Sequence, residues 1–277
     1  MKKIKDLPGS VSKVELVEID GHKYVLRTAH EAEIINEREF QKVLHENQLP
    51  SLKIFDYTEV KNNQLLLEYI NDSPTLEKYI ACQLDPQIEN SILVQWGKEL
   101  ARIHAIIYDD IFSLDENGKQ MYQWQDVIDH EIEYGQSRQK NREGGAEKVL
   151  VERVIQNILK LKEYQPNNFS LIHCDPHENN VLLRDDELVF FDKGSEFFSG
   201  DPLFDTAVIA MSFIGGVKGL EDFGSECDKK NLEAFIEGYG NDFRKHPFFT
   251  EFLLMRCLTR HPNPFTPYLG KVMSRLT

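Results

Sequence analysis

Apolar positions along the first stretch of about 70 residues follow the short period of half-buried strands. Val14–Ile19 and His22–Arg27 are two strand-like runs, and Asp20-Gly21 between them is a two-residue hairpin turn of the primed type. From Glu31 to His45 the pattern becomes helical, with Ile34, Ile35, Phe40, Val43 and Leu44 as its apolar set. Leu52–Tyr57 and Gln64–Tyr69, around Asn62-Asn63, predict two more strands. These elements make a small, mostly antiparallel sheet with one helix laid on it.

Asn71-Asp72-Ser73-Pro74 interrupts the pattern, and the chain beyond it is mainly helical. Between Ser91 and Ile107, the residues Leu93, Trp96, Gly97, Leu100, Ile103, His104 and Ile107 share one helical face. Val149–Tyr164 repeats the arrangement with Leu150, Val151, Val154, Ile155, Ile158 and Leu159. A polar, acidic insertion, roughly Tyr108–Lys148, separates these helices. Strand-like runs return at Val181–Leu183 and Leu188–Phe191, joined by Asp185-Asp186-Glu187, and helical sequence follows to the C-terminus. The expected architecture is α+β and two-lobed: a β-rich N-lobe over residues 1–72 and a larger, mainly α-helical C-lobe over 73–277.

Composition narrows the partners. The 277 residues, with 41% hydrophobic and 28% charged, are ordinary for a soluble globular protein and sufficient for a sizeable core. The formal charge of −14 repels phosphate backbones and anionic bilayers, so neither a nucleic acid nor a membrane is expected as partner. The charge is uneven: residues 1–72 are net −3 and the remainder net −11. Basic residues at the start are followed by no apolar segment of signal-peptide type. Cys82, Cys174, Cys227 and Cys257 are scattered and read as reduced thiols of a cytoplasmic protein.

The chemistry concentrates in Leu171-Ile172-His173-Cys174-Asp175-Pro176-His177-Glu178-Asn179-Asn180-Val181-Leu182-Leu183. An apolar lead-in delivers a polar loop, and an apolar strand leaves it. His173, Asp175 and Asn180 have H-x-D-x-x-x-x-N spacing, and Val189-Phe190-Phe191 then delivers Asp192, with Gly194 two residues on. A metal–phosphate site needs one carboxylate facing an incoming hydroxyl, and an amide oxygen and a second carboxylate converging on Mg²⁺, which prefers oxygen ligands. A short hairpin brings its two ends, Asn180 and Asp192, to the same edge.

With Gly200-Asp201-Pro202-Leu203-Phe204-Asp205 downstream, these motifs resemble the aminoglycoside phosphotransferase and choline kinase branch of the protein-kinase-like superfamily. The resemblance implies ATP- or GTP-dependent, Mg²⁺-dependent phosphorylation of a small-molecule hydroxyl. It makes Asp175 the catalytic carboxylate, Asn180 and Asp192 the Mg²⁺ ligands, His173 a brace for the loop, and Asp205 a buried brace on loop backbone. In the first lobe it makes Arg27 the phosphate-binding cation, with Glu39 its ion-pair partner and Glu37 the fallback. It places Leu67 at the gatekeeper position, and it gives the backbone of Glu68 and Ile70 the nucleobase edge. Pro8-Gly9-Ser10-Val11-Ser12-Lys13 stands where a phosphate-cradling turn is needed, with Ser10 as its hydroxyl.

Two positions depart from the usual pattern: Arg27, where protein kinases carry Lys, and Lys193 directly after the metal Asp. Lys193 either touches phosphate or points to solvent. A catalytically inactive nucleotide-binding module is the alternative from another class, with Arg27 and Lys193 its support. The acidity of the second lobe suggests a cationic acceptor, an aminoglycoside or other amine, bound by residues such as Asp126, Asp129, Glu131 and Glu133. Choline, ethanolamine, homoserine and sugar-type acceptors are the alternatives on the same fold. His173 and His177 with Cys174 lack the spacing of a zinc site. His104, on an apolar helix face, reads as a core histidine.

Overall fold

The computed structural model describes residues 1–7, 12–71, 73–82, 86–140, 148–194, 197–225, 227–259 and 269–277. Ser10 and the rest of 8–11 lie outside this set, as do Asp72 and residues 141–147 of the acidic insertion. In chain order the elements begin with β1 (Lys2–Leu7), β2 (Lys13–Ile19), β3 (His22–Thr28), α1 (Glu31–Glu46), β4 (Gln64–Glu68) and α2 (Leu76–Cys82). Next come α3 (Pro86–His104), β5 (Ile107–Tyr108), β6 (Ile111–Asp115), β7 (Gly118–Tyr122), α4 (Trp124–Lys140), α5 (Lys148–Ile158) and β8 (Phe169–Leu171). The rest are β9 (Val181–Arg184), β10 (Glu187–Phe190), β11 (Ser199–Gly200), α6 (Leu203–Ser212), α7 (Asp228–Tyr239), α8 (Phe249–Thr259) and α9 (Leu269–Leu276).

The chain packs as two compact units, neither of them continuous in sequence. The first comprises Met1–Leu84, Phe112–Gln120 and His173–Phe198. The second comprises Asp85–Ile111, Met121–Ile172 and Ser199–Thr277. The expected boundary after residue 72 follows the order of the chain; the packing units do not.

In the first unit, β1 to β4 form an antiparallel sheet in sequence order. The β2–β3 hairpin has the expected two-residue turn, with Asp20 at φ 50° and Gly21 at φ 80°. The period of two sorts the sheet's side chains. Leu65 and Leu67 pack with Ile34 of α1 and with Val25, while Leu66 packs with Val17, Ile19 and Leu26 on the opposite face. Arg27, two residues after Val25, therefore lies on the α1 side. Residues 52–57 do not form a full strand: Ile54 makes a single bridge to Leu67. The reason lies in side chains brought in from other elements. The Phe55 amide donates to the Leu66 carbonyl and the Glu68 amide to the Lys53 carbonyl (both 2.9 Å), but the Lys53 amide goes to the Glu68 side chain (2.9 Å) and the Leu52 amide to that of Gln41 (2.8 Å), so side chains end the ladder there. β9 and β10 form a second hairpin, turned by Asp185 and Asp186 at φ 48° and 66°.

The second unit is chiefly helical, with α3 and α7 crossing closely at Gly97 and Gly238. α3 ends at His104, so Ile107 lies in β5 and is exposed rather than on the helix face. An aromatic cluster of Trp124, Tyr164, Phe204 and Phe252 fills the centre, and the Trp124 indole donates to the Leu161 carbonyl (2.7 Å). Among the described residues no helix is long and apolar enough to cross a membrane.

Candidate active site

The first unit gathers Arg27, Glu37, Asp175, Asn180 and Asp192 around the end of β10. The hairpin does the positioning. The Phe191 amide donates to the Asn180 carbonyl (3.0 Å), so the last residue before Asp192 is pinned beside the residue that precedes β9. His173 adds a second tie. Its Nδ1 accepts the Asp175 amide (3.3 Å), and its Nε2 donates to the Phe191 carbonyl (2.9 Å). The Gly194 amide closes the ring by donating to the His173 carbonyl (2.8 Å). Two non-glycine residues here have left-handed backbone, Cys174 at φ 67° and Asp192 at φ 55°. Such conformations persist where surrounding bonds over-determine them, and functional sites are where they cluster.

Asn180 is oriented by its amide nitrogen, which donates to the Asp175 carbonyl (2.9 Å) and stands 3.4 Å from Asp175 Oδ2. That commitment leaves the amide oxygen as the ligand atom Asn180 can offer. Asp192, with its side chain 44% exposed, supplies carboxylate oxygen. Amide and carboxylate oxygens are a donor set suited to Mg²⁺, which is commonly bound by one or two protein carboxylates plus substrate phosphate. Among the described residues no cluster of three or more His, Cys, Asp or Glu forms a metal cage.

Arg27 is nearly buried and surrounded by acceptors: Asp192 Oδ1 at 2.5 Å, Glu37 Oε2 at 3.6 Å, Glu33 at 3.8 Å and Ser12 Oγ at 3.2 Å. The ion pair expected of Glu39 is made by Glu37; Glu39 instead meets Lys42 at 3.4 Å on the surface. Helical rotation decides this. Glu37 shares a face with the buried Ile34, Gln41 and Leu44, whereas Glu39 is two residues, about 200°, further round. The spacing 34-37-41-44 carried that signal in the sequence. Glu37 is fully enclosed. Its Oε1 accepts from Gln41 (2.9 Å), and its Oε2 accepts the Lys193 amide (2.6 Å). Burial pushes its carboxyl above the usual range, Arg27 opposes that shift, and Asp192 adds to it.

Lys193 does not reach solvent; it is turned inward onto backbone. It is 2% exposed, and its ammonium donates to the carbonyls of Gly194 and Phe197. His177, weighed in the sequence only as a metal ligand, stands with Nε2 3.4 Å from Asp175 Oδ2. Its Nδ1 accepts the Asn179 amide (3.2 Å), which leaves the proton of the neutral ring on Nε2, facing the carboxylate. Burial lowers the proton affinity of this ring. Leu67 and Ile70 belong to one apolar cluster with Leu182 and Phe191. The Glu68 side chain accepts from Lys53 and Arg184, and its amide donates to the Lys53 carbonyl (2.9 Å).

The second unit places the remaining motif residues. Asp205 is fully buried and bonded to His104 (3.1 Å), whose other nitrogen meets the Tyr239 hydroxyl (2.7 Å). Asp201 accepts from the Leu203 amide (2.8 Å) and the Tyr164 hydroxyl (2.7 Å), and burial raises its proton affinity. Of the acidic residues suggested for acceptor binding, Glu131 is buried against Arg256 (3.6 Å) and Asp129 pairs with Lys162 (2.5 Å). α4 turns Val127, Ile128, Glu131 and Ile132 inward, which leaves Asp126 and Glu133 exposed.

A family model, the phosphotransferase enzyme family, matches residues 3–249. Among curated protein sequences none matches this chain significantly. Solved structures share the fold. A thermostable mutant of an aminoglycoside phosphotransferase, APH(4)-Ia, in a ternary complex with ADP and hygromycin B, is 18% identical at TM-score 0.67, covering 98% of this chain and 91% of that one. The choline kinase LicA from Streptococcus pneumoniae is 14% identical at TM-score 0.61, covering 100% and 94%. The ethanolamine kinase Pv091845 from Plasmodium vivax is 16% identical at TM-score 0.59, covering 98% and 80%.

Proposed function

The chain belongs to the phosphotransferase enzyme family, and from that premise we propose that it transfers the γ-phosphate of ATP to a hydroxyl of an amine-bearing small molecule. The observation that carries this reading is the meeting of Asp175, Asn180 and Asp192 with the Arg27–Glu37 pair in one compact unit. Asp175 would orient the acceptor hydroxyl and take its proton, and the His177 Nε2–H would hold that carboxylate in place. Asn180 and Asp192 would hold Mg²⁺, which would supply positive charge to offset that of the nucleotide phosphates. Arg27 would meet a phosphate oxygen, with Glu37 fixing the guanidinium. Leu67 and Ile70 would line the apolar slot of the base, with the backbone of Glu68 and Ile70 on its edge and Ser10 near the phosphates. Little covalent work falls to the protein; positioning and electrostatics dominate.

An amine-bearing acceptor is favoured by the charge of −14 and by what the structural neighbours are named for: hygromycin B, choline and ethanolamine. The inactive-module alternative loses its support, because Arg27 makes an ion pair with a helix glutamate and Lys193 serves the loop's own backbone. The test is ADP release with Mg²⁺ and ATP or GTP across a panel of aminoglycosides, amino alcohols and sugars. Acceptor-dependent turnover is expected with an amine-bearing member. Nucleotide binding without turnover on any acceptor would restore the inactive-module reading.

A further inference from the structure

Lys193 is a buried cation whose described partners are backbone carbonyls and a ring. Its Nζ donates to Gly194 O (2.7 Å) and Phe197 O (2.5 Å) and stands 5.7 Å from the centre of the Phe198 ring. Taking an ammonium out of water is unfavourable, and two charge-assisted hydrogen bonds with a ring face offset it. An apolar residue would fill the same space without that desolvation, so packing alone does not account for a lysine here. The bonds have a specific effect. The Phe197 carbonyl also accepts from Cys174 Sγ (3.2 Å), and Cys174 precedes the catalytic carboxylate. One carbonyl is thus shared by a side chain beside Asp192 and a side chain beside Asp175. The Lys193 amide meanwhile donates to Glu37, which joins the same loop to α1. Asp192 and Cys174, the two strained residues of the site, each adjoin or form part of this knot.

We propose that Lys193 is a positioning residue, whose ammonium clamps the Gly194 and Phe197 carbonyls and so holds Asp192 and Asp175 in one arrangement. Its consequence for Mg²⁺ rests on the proposed function; the clamp itself does not.

Lys193→Met keeps an unbranched apolar stem as far as Cε and removes the donors. The expected result is amide hydrogen exchange at Gly194 and Phe198 faster by about tenfold or more, with the global melting transition retained. The Mg²⁺ concentration for half-maximal AMP-PNP binding should rise about tenfold, and Lys193→Gln, which keeps a donor, should lie between. Cys174→Ala should shift the same midpoint, and the double variant should fall short of the product of the two effects, because both act on one carbonyl. Wild-type exchange rates and midpoint in folded Lys193→Met would overturn the proposal. If that variant does not fold, the wild type decides. A slowly exchanging lysine ammonium resonance at neutral pH, lost in Lys193→Gln, supports the clamp, and its absence overturns it. A wild type that binds no nucleotide would sink the functional reading, and the exchange measurement would still decide the clamp.

Discussion

Glu37→Gln, set beside Glu39→Gln, isolates the ion pair that fixes Arg27. In the first variant the carboxylate is replaced by an amide of the same shape. Glu37 now accepts from both Gln41 and Lys193; the amide turns one of those contacts into donor against donor. It also removes one of the buried charges facing Arg27. Breaking a buried pair costs about 3–5 kcal/mol, and Arg27 keeps Asp192 at 2.5 Å, so the loss should fall near ~3 kcal/mol. For a domain of this size that is a drop in melting temperature of roughly 6–12 °C. With one of its anchors gone the guanidinium is less well placed for phosphate, and a loss of ~1.4 kcal/mol there is a tenfold rise in KM for ATP. Among the described residues Glu39 pairs with Lys42, three residues away on the helix surface, so its variant should stay within about 0.5 kcal/mol of wild type. Thermal melts and steady-state kinetics measure both. Equal effects of the two substitutions, or a larger effect at Glu39, would refute the reasoning.

Asp175→Asn should keep the melting temperature and lower kcat by about 10²–10⁴-fold in the acceptor assay; unchanged turnover would remove Asp175 from its role. Burial depresses the proton affinity of His177, so the stability it contributes is complete above the ordinary histidine value of 6.5 and is lost as pH falls below it. The melting-temperature difference between wild type and His177→Asn should therefore narrow from pH 8 to pH 5.5, and a pH-independent difference would contradict the assignment. Gly238→Ala should destabilise by ~3 kcal/mol or more, because the new carbon would lie 1.8 Å from the Val94 carbonyl oxygen. Helix propensity alone predicts the opposite sign, a gain of about 1 kcal/mol, so the denaturation midpoint discriminates between the two.

The α+β class, the Asp20-Gly21 hairpin, the 181–190 hairpin and the phosphotransferase family were all legible in the chain, because each depends on short-range spacing. A period of two or of 3.6 residues, and a motif within one loop, need no knowledge of distant residues. Three features were decided by packing. Glu37 rather than Glu39 meets Arg27 because α1 presents its 34-37-41-44 face to the sheet. Residues 52–57 keep only a short pairing with β4 around Ile54 because the side chains of Gln41 and Glu68, more than ten residues away, take the amides of Leu52 and Lys53. Lys193 turns inward because the carbonyls of Gly194 and Phe197 and the ring of Phe198 converge on its ammonium. Residue type and spacing therefore determined which groups are present for the chemistry. Which partner each charge takes depended on long-range proximity, where burial strengthens electrostatic interactions and makes an unpaired group costly.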